Sequence, residues 1–96
     1  MIVERVEFEV KPGKMDAFMA HCRDNGHLFR NSAGCHSFSY GRGVENPGKA
    51  IFLLHWDSVA AHEAARDGFA DFRGPMPELI DGVIVEHFDM EAWAGA

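Results

Sequence analysis

The residues best suited to chemistry follow an apolar segment in the second half of the chain. Trp56 ends that segment, and His62 lies six positions further on, after Asp57-Ser58. Histidine transfers protons near neutral pH, and a tryptophan at the end of a strand can line an aromatic pocket. We therefore predict that Trp56 and His62 form the catalytic pair. The structural alternative is that Trp56 only fills the core and His62 is exposed on a helix.

Metal and cofactor motifs are missing from the sequence. The six histidines form no HxxxH or HExxH motif, and Cys22 and Cys35 form no CxxC pair. A metal site would have to be assembled from distant segments. There is also no glycine-rich phosphate loop and no serine elbow. We therefore predict no metal and no cofactor, and we expect both cysteines to be free core thiols.

Composition narrows the possible partners and the location. The net charge of -6 and the pI of about 5.4 would repel nucleic acid. The longest apolar run, residues 50–54, is far shorter than the ~20 residues that span a bilayer, and residues 1–4 do not resemble a secretion signal. We expect a cytoplasmic protein that binds neither nucleic acid nor membrane.

Hydrophobic periodicity predicts a single domain over residues 1–96, of the α+β class. Alternation predicts strands at 2–10, 35–42, 50–56 and 83–90, and helical spacing predicts helices at 14–30 and 59–66, with a further helical piece over 69–80. This order is that of a ferredoxin-like βαββαβ domain, with both helices on one face of an antiparallel sheet. Gly26 lies on the apolar stripe of the first helix, which indicates either close approach to the sheet or a local break.

The two faces of the predicted sheet have different expected roles. The face toward the helices is aromatic-rich, and we predict that it forms a substrate pocket lined by Val6, Phe18, Phe52, Leu54, Phe69 and Phe72. The other face carries Val3, Ile51 and Leu53, which would meet water in an isolated chain. We therefore expect a homodimer that covers this face. His36 and Tyr40, which alternation places on one face of the second strand, are interpreted as packing or interface residues.

Three segments carry a resemblance to a known family. Lys11-Pro12-Gly13-Lys14, Ala33-Gly34-Cys35-His36 and residues 52–64, with the stretch Trp-Asp-Ser-x-x-Ala from Trp56, resemble the antibiotic biosynthesis monooxygenase (ABM) domain family. The resemblance extends from Val3 to about Met90, and the start of the second strand is similar to the quinol monooxygenase branch. It implies a dimeric α/β barrel. It also implies oxygenation of phenols, anthrones or quinols by molecular oxygen without flavin, metal or nicotinamide.

The match to the site residues of that family is partial. Trp56 matches a pocket-lining tryptophan, but Phe52 and Val6 stand where oxygenating members carry a polar asparagine. Ala65 stands where many relatives carry a histidine, and His62 aligns closer to a tyrosine position of an anthrone-oxidising branch. No histidine lies between residues 67 and 82 to act as the axial ligand of the related haem-degrading branch, which disfavours haem degradation.

The sequence thus favours a cofactor-independent monooxygenase acting on a small aromatic or quinol-type substrate. His62 is the first candidate for the base, and His36 and His87 are alternatives. A non-catalytic module that binds or senses an apolar metabolite is the second hypothesis, because the predicted pocket has few acid-base groups. A purely structural dimeric domain is the third.

Overall fold

The computed structural model describes residues 1–93 and contains one four-stranded antiparallel sheet in the order β2-β3-β1-β4. The strands are β1 (Ile2–Val10), β2 (Cys35–Arg42), β3 (Lys49–Trp56) and β4 (Ile80–Asp89). The helices are α1 (Met15–Arg30), α2 (Val59–Ala65), α3 (Ala70–Arg73) and α4 (Met76–Leu79), with a 3₁₀ turn at Arg66–Phe69. The predicted ferredoxin-like α+β arrangement is confirmed. No helix within residues 1–93 is long and apolar enough to cross a membrane.

The core lies between the sheet and the helices, and strand alternation builds it. Val6 of β1 pairs with Phe52 of β3 on one side and with Val85 of β4 on the other. Paired residues share a face, so this row presents apolar side chains to the helices. Phe18 and Trp56 are fully buried. Burial of each such side chain contributes about 1.5–3 kcal/mol, and the aromatic stripe therefore holds the two layers together.

Gly26 marks the closest approach of α1 to the sheet. The helix is continuous through this position, which excludes the local break. A Cβ atom at residue 26 would lie 3.2 Å from the ring of Phe38 on β2. The glycine therefore allows the helix backbone to pack directly on an aromatic side chain.

The chain between α2 and β4 differs from the prediction of one helical piece over residues 69–80. It forms a 3₁₀ turn and two four-residue helices, and Gly74-Pro75 separates those helices. Ile80 has extended backbone angles and begins β4, three residues earlier than predicted. Lys11 donates its backbone N–H to the Leu79 carbonyl, and this bond ties the end of α4 to the end of β1.

A β-bulge displaces His36 from the face predicted for it. The pairing register of β2 with β3 shifts between Cys35 and Ser37, so simple alternation fails there. The imidazole of His36 is hydrogen-bonded to Asp57 and lies 4.9 Å from the ring of His55, while Tyr40 stacks on Phe38. His36 and Tyr40 therefore do not form one patch.

Cys22 and Cys35 are both buried and free, as predicted. Burial raises the pKa of the Cys22 thiol to about 12. A thiol with so high a pKa is a poor nucleophile, so Cys22 is a core residue.

Gly34 positions the start of β2 against α2. It has φ +82°, and a Cβ atom there would lie 2.9 Å from Cβ of Ala61. Gly13 also has a positive φ, +77°, but open space surrounds it.

We expect Gly34→Ala to lower the free energy of unfolding by more than Gly13→Ala does. Gly13→Ala should lower the free energy of unfolding only by the strain of a left-handed backbone conformation in a residue with a Cβ atom, which is about 1–2 kcal/mol. Urea unfolding of both variants measures the difference, and equal losses would contradict the close contact.

Candidate active site

A cavity of about 740 Å³ lies between the sheet and the short helices that follow α2. Five of the six residues predicted to line a pocket do line it, namely Val6, Phe52, Leu54, Phe69 and Phe72. The walls also include Val83 and Val85 of β4. Of the titratable side chains that line the cavity, Glu4, His62 and His87 contact one another, and the others are Glu63, Arg66, Arg73 and Asp81. The cavity is thus an apolar space with one cluster of groups able to move protons.

Glu4 is the most buried member of that cluster, with 5% of its surface exposed. It lies on the helix-facing side of β1, in phase with Val6 and Phe8. The indole N–H of Trp56 donates a hydrogen bond of 2.9 Å to Oε1 of Glu4, and Oε2 lies 3.4 Å from Nε2 of His62. Both carboxylate oxygens are therefore engaged by side chains from other elements.

His62 is positioned by the start of α2. Ser58 caps this helix by accepting a 3.0 Å hydrogen bond from the N–H of Ala61. The cap starts the helix directly after Trp56, so the first full turn carries His62 back over the indole. The two rings stack with centroids 5.3 Å apart and planes at 30°. His62 is only 9% exposed, which is not the surface position of the structural alternative.

His87 of β4 extends the cluster toward solvent. Its Nε2 lies 2.8 Å from Nδ1 of His62, so one of these nitrogens donates and the other accepts. His87 pairs with Glu4 across the β1–β4 ladder and is only partly buried. Glu4, His62 and His87 thus form a continuous row of polar side chains from the protein interior to the cavity, with a hydrogen bond between the histidines and a 3.4 Å contact between His62 and Glu4.

Burial shifts the pKa values of Glu4 and His62. Desolvation raises the pKa of Glu4, although the hydrogen bond from Trp56 and the nearby His87 oppose the increase. Desolvation lowers the pKa of His62, and the charges of His87 and Arg66 lower it further. The two shifts bring the pKa values of an acid and a base toward each other.

Two predicted site residues lie behind the cavity wall, not on it. Trp56 is fully buried and contacts Glu4 and His62, which do line the cavity. Phe18 is also fully buried, because its ring packs against Phe8 and Phe52 at centroid distances of 5.0 and 6.2 Å. Both support the site from beneath.

His36 and Arg73 occupy separate positions. His36 is paired with Asp57 at the end of the sheet, away from the residues that line the cavity. Arg73 lines the cavity, and its guanidinium donates a 2.8 Å hydrogen bond to the backbone carbonyl of Arg66. Among the histidines proposed as the base, His62 and His87 are the two that reach the cavity.

Glu4 is not among the site residues predicted from the sequence, because β1 has the alternating pattern of an ordinary amphipathic strand. The even positions of β1 are apolar and face the core, and Glu4 is the charged exception among them. A carboxylate in the buried phase of a strand is a signal in itself, since an unpartnered buried charge is strongly destabilising.

The family model for the antibiotic biosynthesis monooxygenases matches residues 1–73. The chain belongs to this family. The matched region contains β1, β3 and α2, and with them Glu4, Trp56 and His62. No protein of curated function matches the sequence significantly.

Solved structures share the fold along nearly the whole chain. A protein from Bordetella bronchiseptica, assigned to the antibiotic biosynthesis monooxygenases, is 25% identical with a TM-score of 0.86, covering 95% of this chain and 97% of that one. A protein from Shewanella oneidensis is 27% identical with a TM-score of 0.79, covering 91% and 87%. A protein from Deinococcus radiodurans, also assigned to the antibiotic biosynthesis monooxygenases, is only 12% identical. It has a TM-score of 0.85 and covers 100% of this chain and 98% of that one.

The buried carboxylate makes stability depend on pH. Because the pKa of Glu4 is raised by folding, the free energy of unfolding decreases as pH rises from the ordinary carboxyl range through the raised value. Glu4→Gln keeps an acceptor for Trp56 but does not ionise. We expect the stability of this variant relative to the wild type to increase between pH ~4 and ~7, by about 1.4 kcal/mol for each unit of the shift.

Urea unfolding at several pH values measures this difference. Glu45→Gln, in the exposed turn before β3, removes the same charge at the surface and is the matched control. If the free energies of unfolding of Glu4→Gln and of the wild type changed in parallel with pH, the result would contradict a raised pKa of Glu4.

Proposed function

We propose that this protein is a cofactor-independent monooxygenase that oxidises a small aromatic or quinol-type substrate with molecular oxygen. The observation that carries the proposal is the chain Glu4-His62-His87, which opens from a buried carboxylate into an apolar cavity. Such a reaction needs a base to form the substrate anion and a dry space in which the electron-rich anion meets oxygen. Membership of the family supports this assignment.

The hydrogen bonds suggest a route for the substrate proton. A phenolic O–H in the cavity gives its proton to the histidine pair, and the bond between His87 and His62 carries the charge inward. Glu4 then accepts a proton from Nε2 of His62, which its raised pKa favours. The positive charge formed on the imidazoles is thereby neutralised within the protein.

The remaining cavity wall suits an aromatic ring. Phe52, Phe69 and Phe72 supply apolar faces, and Val83 and Val85 supply the opposite wall. These side chains offer an aromatic ligand a large apolar contact area and limit the access of water to the substrate anion. Trp56 holds Glu4 in place, so its proposed role is to position the acid-base chain.

The proposal predicts protein-dependent oxygen uptake with hydroquinones or anthrones. We expect His62→Ala to lower the rate by about 100-fold or more, because a positioned general base contributes 10²–10⁴-fold. His55→Ala removes a histidine from the face opposite Trp56 and should leave the rate unchanged. An oxygen electrode and product analysis give both measurements.

The outcomes separate the alternative functions. No uptake above the uncatalysed rate with either substrate class would contradict the proposal. If an aromatic ligand then raised the melting temperature without conversion, the result would favour a binding or sensing module. Uptake that His62→Ala leaves intact would exclude His62 as the base.

We further propose that two chains pair through the face of the sheet that the helices leave uncovered. Leu53, Ile84 and Phe88 lie there with 43%, 55% and 42% of their surfaces exposed, beside Val3 and Ile51. An isologous dimer covers this patch with the same residues of a second copy. The cavity lies on the other face of the sheet and stays open in such a dimer.

Leu53→Glu tests the dimer. A carboxylate there would lose its water in the interface, and Arg5, which lies opposite residue 53, already contacts Glu7 and Glu86. We therefore expect light scattering to show a dimer for the wild type and a monomer for the variant. Val44→Glu adds the same charge to an exposed turn, with Val44 87% exposed, and should stay dimeric. A monomeric wild type would contradict the proposal.

A further inference from the structure

The Glu4-His62-His87 cluster has a second chemical property besides proton transfer. Each of the three side chains offers one ligand atom, and these atoms lie within 4.8 Å of one another. Two imidazoles and one carboxylate are a common donor set for zinc and other divalent transition metals. We propose that this cluster binds a divalent transition-metal cation of the Zn²⁺ type, and that the bound ion blocks the proton chain.

The distances are close to those of a coordinated ion. Donor atoms held about 2.0–2.2 Å from one metal lie roughly 3–3.5 Å from each other. Nε2 of His62 is 3.4 Å from Oε2 of Glu4, and Nδ1 of His62 is 2.8 Å from Nε2 of His87. A single ion uses one nitrogen of His62, and with one ligand atom from each residue the set spans up to 4.8 Å, so His87 or Glu4 must move by about 1 Å to reach the spacing of a coordinated ion. His87 lies on the edge strand β4 and is only partly buried, which permits this movement.

The surroundings favour a cation at this position. Glu4 is almost completely enclosed, and a metal ion would neutralise a carboxylate whose charge is disfavoured by burial. The cavity is also lined by two exposed cations, Arg66 and Arg73, and by two further carboxylates, Glu63 and Asp81, which balance their charge.

Supporting contacts and access are also present. Trp56 donates its indole N–H to Glu4 and stacks on His62, so it fixes the orientation of two ligands from behind. The cavity in front of the cluster gives the ion an entrance and leaves room for water to complete the coordination. The arrangement therefore has ligands, support and access, as a metal site requires.

Metal binding and proton transfer exclude each other at these atoms. An ion occupies the nitrogen and oxygen lone pairs that would otherwise accept the substrate proton. The inference concerns the same three side chains as the proposed oxidation, but the affinity for the ion does not depend on any turnover. We therefore expect Zn²⁺ to inhibit any oxidation that uses this cluster.

Cobalt is the probe for the test, because Co²⁺ bound by histidine nitrogen gives absorption bands in the visible region. We expect the wild type, stripped of metals with a chelator, to bind one Co²⁺ per chain and to release it when Zn²⁺ is added. Isothermal titration calorimetry with Zn²⁺ gives the affinity without any aromatic substrate.

Single variants assign the ligands. His87→Gln and Glu4→Gln should each weaken Zn²⁺ binding by at least about 10-fold, a loss that even the outer partners of metal ligands produce. His55→Gln, on the opposite face, should bind as the wild type does. Circular dichroism confirms folding, and the partly buried position of His87 makes His87→Gln the variant least disruptive to the core.

Three results would overturn the inference. They are the absence of a cobalt spectrum with folded wild type, an equal loss of affinity in His55→Gln, and binding unchanged in His87→Gln and Glu4→Gln. Cobalt binding without oxygen uptake would support the metal site and contradict the proposed monooxygenase activity. Oxygen uptake that is insensitive to Zn²⁺, in a protein that binds no Co²⁺, would contradict the metal site alone.

Discussion

The enclosure of the Glu4 carboxylate is the constraint on which the rest of the site depends. A carboxylate 5% exposed among aromatic side chains needs polar partners, and Trp56 supplies a hydrogen bond from β3 while His62 supplies a 3.4 Å ion-pair contact from α2. Both partners reach Glu4 only if β3 pairs with β1 in the observed register and Ser58 starts α2 immediately afterwards. The geometry of one acid thus links two strands and a helix.

The cavity exists because the chain after α2 cannot form one long helix. Gly68 and Gly74-Pro75 interrupt it, and the resulting short pieces do not cover β4. Val83 and Val85 therefore stay about half exposed, at 51% and 50%, on the side that faces the helices. A continuous amphipathic helix would pack onto these valines and fill the space, so the breaks in the helix create the pocket.

Most of the fold could be predicted from local patterns, whereas the site could not. Periodicity located β1 and β2 to the residue, because alternation and helical spacing depend only on near neighbours. The early start of β4 at Ile80 depends on contacts with β1, and the displacement of His36 depends on a bulge that alternation does not reveal. Glu4 and His87 lie far apart in the sequence and are brought together by the β1–β4 ladder, and α2 then places His62 against both.

The identity of residue 4 argues for a chemical role beyond packing. A glutamine would accept the hydrogen bond from Trp56 and still reach His62, and it would avoid the free energy needed to bury a charge. What glutamate adds is the capacity to take up a proton or to bind a cation. With the pKa of Glu4 raised and that of His62 lowered by the same burial, the fold gives up some stability to hold an acid and a base side by side. Packing accounts for Phe18, and Trp56 contacts both members of this pair. Packing alone does not account for the pairing of Glu4 with His62, which is what the proposed oxidation would use.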